Sequence, residues 1–194
     1  MMSSIPHSEA MELYAKLQFF EFTQPDAEFT FIDRLANENA WDKPYTEDVL
    51  EEYFRFIVLT QFAGHIVTPS DQVDQVWHLH MIYTHSYWVE LCKKLLGRPL
   101  HHQPTLGGME EQVKYSDQYK RTLESYQYIF GEKPPSTVWP TLEERFSGDK
   151  LFQRINVNDT PATKSPAWWT IGASGDGGSC GGCGGCGGGG CGGG

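Results

Sequence analysis

Between Tyr53 and Phe62 the chain places seven apolar residues in ten positions: Tyr53, Phe54, Phe56, Ile57, Val58, Leu59 and Phe62. At helical spacing these side chains leave no polar face. A helix that is apolar all round is stable only when other helices surround it. The segment that contains it runs from Thr46, read as a cap, to Ala63, and Gly64 stops it. This one element already points to an all-α, bundle-like domain.

The flanking segments supply the helices that such a centre needs. Ser8 caps a predicted helix from Glu9 to Phe22, with Met11, Leu13, Tyr14, Leu17 and Phe20 at helical intervals. A second spans Glu28 to Asn39 on Phe29, Phe31, Ile32 and Leu35. Thr68-Pro69-Ser70-Asp71 reads as a helix start, with Thr68 as N-cap and Pro69 at the first helical position. That helix is expected to continue unbroken to Leu96, about 42 Å at 1.5 Å per residue, where Gly97 ends it. After a loop over residues 98–108, a fifth helix runs from Met109 to Phe130. A short one, capped at Thr141, follows. No segment shows the two-residue alternation of a strand.

Glycine divides the chain. Fifteen of the 21 glycines and four of the five cysteines fall in the last 23 of 194 residues. The expected organisation is a helical domain over 1–155, an irregular linker over 156–171 and a disordered, low-complexity Gly/Cys tail over 172–194. The formal charge is −10, and residues 1–60 hold twelve carboxylates against four basic side chains. Such a surface repels phosphate backbones, so nucleic acid is not an expected partner. No apolar run reaches the roughly 20 residues of a membrane span. Met1 to Glu12 lacks the basic and apolar regions of a signal peptide, so a cytoplasmic location with reduced thiols is expected.

Five of the seven histidines lie within 25 residues: His78, His80, His85, His101 and His102. On one continuous helix Asp71, Asp74, His78, His85 and Cys92 share an arc of about 60°. His80 points nearly opposite to His85, as an aromatic-sized core or interface residue. An ionisable stripe on an otherwise apolar helix must find partners, since an unpaired buried charge costs several kcal/mol. Three solutions compete. The stripe is a structural hydrogen-bonded network. Alternatively, Asp74, His78 and His85, joined by His101 or His102 from the loop, hold a metal ion. In the third, His78 or His85 is a general base that Asp74 orients. Cys92, among Leu91, Leu95 and Leu96, is expected to pack as a small hydrophobe.

The run Val73-Asp74-Gln75-Val76-Trp77-His78-Leu79-His80-Met81, followed by Thr84, Tyr87, Cys92 and Leu96-Gly97-Arg98-Pro99-Leu100-His101-His102, resembles the glycine-rich domain-containing protein-like family. Trp139-Pro140 and Glu144-Arg145-Phe146 fit its short bacterial form. The resemblance covers Thr46 to Phe146, and the tail in kind only. It implies no activity and transfers no catalytic residue.

In the tail, Cys180, Cys183, Cys186 and Cys191 form a thiol array able to ligate a soft metal, zinc or copper. An iron–sulfur cluster fits least, because no apolar residue stands among the ligands to sheath it. The other readings are an unstructured tether and a substrate for cyclising modification. The leading expectation for the whole chain is a soluble binding or interaction protein with an unidentified protein partner or a metal ion. It would be metal-associated through the Asp/His cluster and the Cys-rich tail. A metal-dependent enzyme using the same cluster is the alternative.

Overall fold

A computed structural model of the protein describes residues 7–23, 26–103 and 109–146, with side chains from residue 113 onward in the last stretch. All fall within one compact unit, Met1–Pro161. The expected linker over 156–171 and the tail over 172–194 lie outside the described residues.

Among the described residues the regular structure is entirely helical. The order is α1 (His7–Leu17), α2 (Phe31–Asn39), α3 (Lys43–Phe62), α4 (Asp71–Ile82), a π-helix (Ser86–Leu95), α5 (Met109–Phe130) and α6 (Leu142–Phe146). The apolar segment takes the central place its composition demands. α3 packs against α1, α2, α4 and α5, and residues 56–59 of it are fully buried.

Several helix starts differ from the sequence reading, and each difference has a local cause. α3 begins at Lys43, because Asp42 accepts a hydrogen bond from the Tyr45 backbone N–H and Pro44 occupies the first turn. Thr46 is therefore inside the helix, donating its hydroxyl back to the Asp42 carbonyl. α4 starts after Ser70, whose hydroxyl accepts from the Val73 N–H. Thr68 is occupied elsewhere, its N–H donating to Thr122 of α5. α2 starts at Phe31, after Thr30, which forms a reciprocal capping box with Asp33. Thr141 and Glu144 repeat that box ahead of α6.

The largest departure is in the fourth helix. It does not run unbroken to Leu96. Tyr83 leaves helical geometry at ψ 64°, and the chain resumes as a wider-wound π-helix. Two contacts hold the break. The Tyr83 ring packs on Phe31 at 5.2 Å, and His80 bonds to Ser86 across it at 3.0 Å. In a continuous α-helix residues six apart lie on different faces, so this bond exists only because the helix is interrupted.

A second polar group is buried where α3, α5 and the segment around Trp139 meet. Glu52 accepts hydrogen bonds from Trp139 Nε1 at 2.8 Å and Tyr126 at 3.1 Å, with Arg55 at 3.7 Å. Burial pushes the Glu52 carboxyl above its ordinary range, against the lowering effect of those donors.

Candidate metal centre

His80 is the most enclosed histidine of the cluster. Its two ring nitrogens meet the Tyr53 hydroxyl at 2.9 Å and the Ser86 hydroxyl at 3.0 Å. The rings of Phe20, Phe22, Phe31, Tyr53 and Tyr87 surround it. Burial lowers its pKa to about 3. It is a satisfied, neutral core residue. Cys92 is buried as a free thiol whose pKa burial raises.

His78 behaves differently. It lies one turn after Asp74 on α4, facing away from the core. Leu100-His101-His102 returns from the π-helix and lays His102 over the same turn. His102 Nε2 is 2.8 Å from Asp74 Oδ1 and 3.1 Å from His78 Nε2. His78 Nε2 is 3.5 Å from Asp74 Oδ2. Three donor atoms, two imidazole nitrogens and a carboxylate oxygen, thus converge within 4.8 Å of one another. Side-chain exposure is graded: 15% for His102, 26% for Asp74 and 36% for His78. The cluster opens to solvent on the His78 side.

These separations bear on what the cluster can hold. Zinc bonds of 2.0–2.1 Å arranged tetrahedrally put neighbouring donors about 3.3–3.4 Å apart. The observed spacings fall on both sides of that edge, but the 2.8 Å and 3.5 Å contacts are to different oxygens of Asp74, so admitting an ion requires the carboxylate to turn as well as the imidazoles to shift. The His78–His102 contact has a chemical consequence of its own. Two ring nitrogens at 3.1 Å must be one N–H facing one lone pair, or two lone pairs facing a shared cation. Two imidazoles and one carboxylate suit zinc, and the same set is used by non-haem Fe(II) sites.

The remaining sequence candidates are dispersed. His85 belongs to the interruption rather than to the stripe. It is 78% exposed, with Glu90 at 3.7 Å as its neighbour. The arc that joined it to His78 assumed one unbroken α-helix, and the change of winding after Ile82 turns it away. His101 is exposed, its ring 6.0 Å from Trp88. The adjacent-histidine pair thus resolves into one inward and one outward imidazole. Cys180, Cys183, Cys186 and Cys191 lie outside the described residues.

Two residues that spacing did not single out frame the centre. The Trp77 ring lies against His102 at 4.5 Å. Its Nε1–H donates to the Tyr87 hydroxyl at 2.8 Å, and Tyr87 donates to the Leu100 carbonyl. Both had the sequence character of core aromatics, and burial hides their polar ends from any pattern based on periodicity.

Residues 19–126 match the UCP032817-like family, 108 of the 194 residues. Neither a curated protein nor a solved structure matches the chain. The matched span contains α2 to α4, the π-helix and the whole Asp74–His78–His102 cluster, and it ends inside α5. It stops well short of the glycine tract. This overturns the resemblance to the glycine-rich domain-containing protein-like family, which the Trp-His-x-His run and the Gly/Cys tail had suggested. What defines this chain is the helical body around the cluster, and by that body it belongs to the uncharacterised UCP032817-like family.

Proposed function

We propose that the protein is a metal-binding protein whose ion, zinc, is held by Asp74, His78 and His102. The observation that carries the reading is the 3.1 Å approach of two imidazole Nε2 atoms beside a carboxylate. Asp74 and His78 come from one helix and His102 from a loop some 24 residues on. An ion there ties the loop to α4, stabilising a binding surface on that side of the bundle. Copper(I) suits the site less, since it favours sulfur ligands.

The number of donors favours a second reading, a metal-dependent enzyme. Structural zinc sites close with four protein ligands, whereas catalytic ones keep three and leave a position for water. Among the described residues three donors converge, and the open side is at His78. A water held there would be acidified by the ion.

The test uses the full chain with Cys180, Cys183, Cys186 and Cys191 replaced by serine, so that tail thiols do not contribute. After equilibration with zinc and desalting, elemental analysis should find one zinc per chain. His102→Ala should lose it and His85→Ala should keep it. No retained zinc, or equal zinc in the His102→Ala chain, would refute the reading. For the cobalt-loaded protein, a change in visible absorption on adding acetohydroxamate would favour the enzyme; an unchanged spectrum would favour the closed, structural role.

A further inference from the structure

Metal centres depend on the groups that hold their ligands in place. Ligating imidazoles are oriented by neighbours, and removing such a neighbour typically weakens binding 10–100-fold. Here two of the three donors share α4, so their separation is set by one helical turn. His102 has no such constraint. It sits on residues 98–103, a stretch without regular structure. Something must fix that stretch to within a fraction of an ångström, or the third donor arrives at no defined place.

Backbone bonds from Arg98 to the Cys92 carbonyl at 3.0 Å and from Leu100 to the Cys92 thiol hold the start of the stretch. Two side-chain attachments add to them, and they differ in reach. Arg98 donates to the Gln61 side chain at 2.6 Å and the Thr60 carbonyl at 2.9 Å, pinning the start of the loop to the end of α3. It lies four residues before His102. Closer in, the Tyr87 hydroxyl donates to the carbonyl of Leu100, two residues before His102. The same hydroxyl accepts from Trp77 Nε1 at 2.8 Å. Trp77 is the residue immediately before His78, and its ring lies 4.5 Å from that of His102. The chain of contacts therefore begins beside one ligand, passes through a buried phenol and returns to the loop beside the other.

Ten residues of continuous α-helix span about 15 Å, so the Trp77–Tyr87 contact depends on the break at Tyr83. Tyr87 follows Trp77 by ten residues, with the break at Tyr83 and the start of the wide winding between them. Tyr87 is fully buried, and a buried hydroxyl needs partners. A phenylalanine would fill the same volume without that demand. Its hydroxyl is spent on the two elements that carry the metal donors.

We infer that Tyr87 and Trp77 are positioning residues of the metal centre, holding the His102 loop on α4 through the Trp77–Tyr87–Leu100 hydrogen-bond chain. The inference rests on the metal-binding reading of Asp74, His78 and His102. Neither residue touches the ion; both act by fixing where His102 Nε2 stands.

The experiment measures zinc affinity by competition with a chromogenic chelator, using the full chain with the four tail cysteines changed to serine. Tyr87→Phe keeps the ring and removes both bonds. One zinc should still bind, with affinity 10–100-fold lower. The visible spectrum of the cobalt-loaded variant should show a less regular coordination sphere, a signature that a general loss of stability does not produce. Trp77→Phe should weaken binding in the same direction, and it becomes the deciding variant if circular dichroism shows Tyr87→Phe unfolded. Equal affinity in a folded variant and the parent overturns the inference and leaves the metal site standing. Absence of zinc binding in the parent overturns the metal reading itself, so the two failures are distinguishable.

Discussion

At the scale of single residues, two histidines two positions apart have opposite fates, and their surroundings decide which. His80 faces five aromatic rings and two hydroxyls, so burial holds it neutral down to about pH 3. The unfolded chain takes up the same proton near pH 6.5. Between those values the unfolded state binds more protons, so this contribution to stability is complete above pH 6.5 and is lost as the pH falls toward 3. The loss is on the order of 5 kcal/mol for a shift of that size. Replacing His80 with glutamine removes the proton site. In urea titrations across the acid range, His80→Gln should be about 1–3 kcal/mol less stable at pH 7 from its altered hydrogen bonds. It should also show a flatter decline between pH 6.5 and 3. An acid limb as steep as the parent's would contradict this account of His80. By its lone place on an apolar face the sequence makes His80 a core or interface residue, and the structure buries it in the core. The sequence could not show that Ser86 completes the partnership, since that bond needs a broken helix.

Elements were legible where hydrophobic pattern decided them and less so where a single side chain did. The encircled α3 followed from its composition. The boundaries of α3 and α4 did not, because Asp42, Thr46, Thr68 and Ser70 are all competent caps and tertiary contacts chose among them. Asp42→Ala should therefore cost about 1 kcal/mol in chemical denaturation. At the end of α2, Ala40 adopts φ 52°, a left-handed conformation that an alanine side chain resists. Ala40 is exposed, so Ala40→Gly relieves the strain without opening a cavity. It should stabilise the protein by about 0.5–1 kcal/mol, the relief exceeding the extra chain entropy of glycine. A destabilised Ala40→Gly protein would mean that the backbone there is set by something other than the cap. The π-helix had no readable signature. Its residues carry ordinary helical character, and the arc shared by His78 and His85 on a continuous helix ends where the winding changes.

For the whole molecule, the consequence of a metal centre is linkage between ion and fold. An ion that binds the folded protein alone stabilises it by about 2.7 kcal/mol at one hundred times its dissociation constant. In a domain of this size that corresponds to a rise of roughly 5–10 °C in the unfolding temperature. Zinc should produce such a rise in the chain with serine at the four tail positions and none after His102→Ala. The Asp74–His78–His102 cluster was half readable from the sequence. Asp74 and His78 share a face by spacing alone, and His102 was one of two loop candidates that only the path of the chain could separate. The Trp77–Tyr87–Leu100 chain belongs to tertiary structure, because it joins three segments through polar atoms that the core conceals.

The most direct measurement is anomalous X-ray scattering at the zinc edge from crystals of the full-length protein grown with zinc. The account predicts a peak about 2.0–2.2 Å from Asp74 Oδ, His78 Nε2 and His102 Nε2 together. Crystals with zinc bound only elsewhere, and with His102 bonded directly to Asp74 and His78, would contradict it.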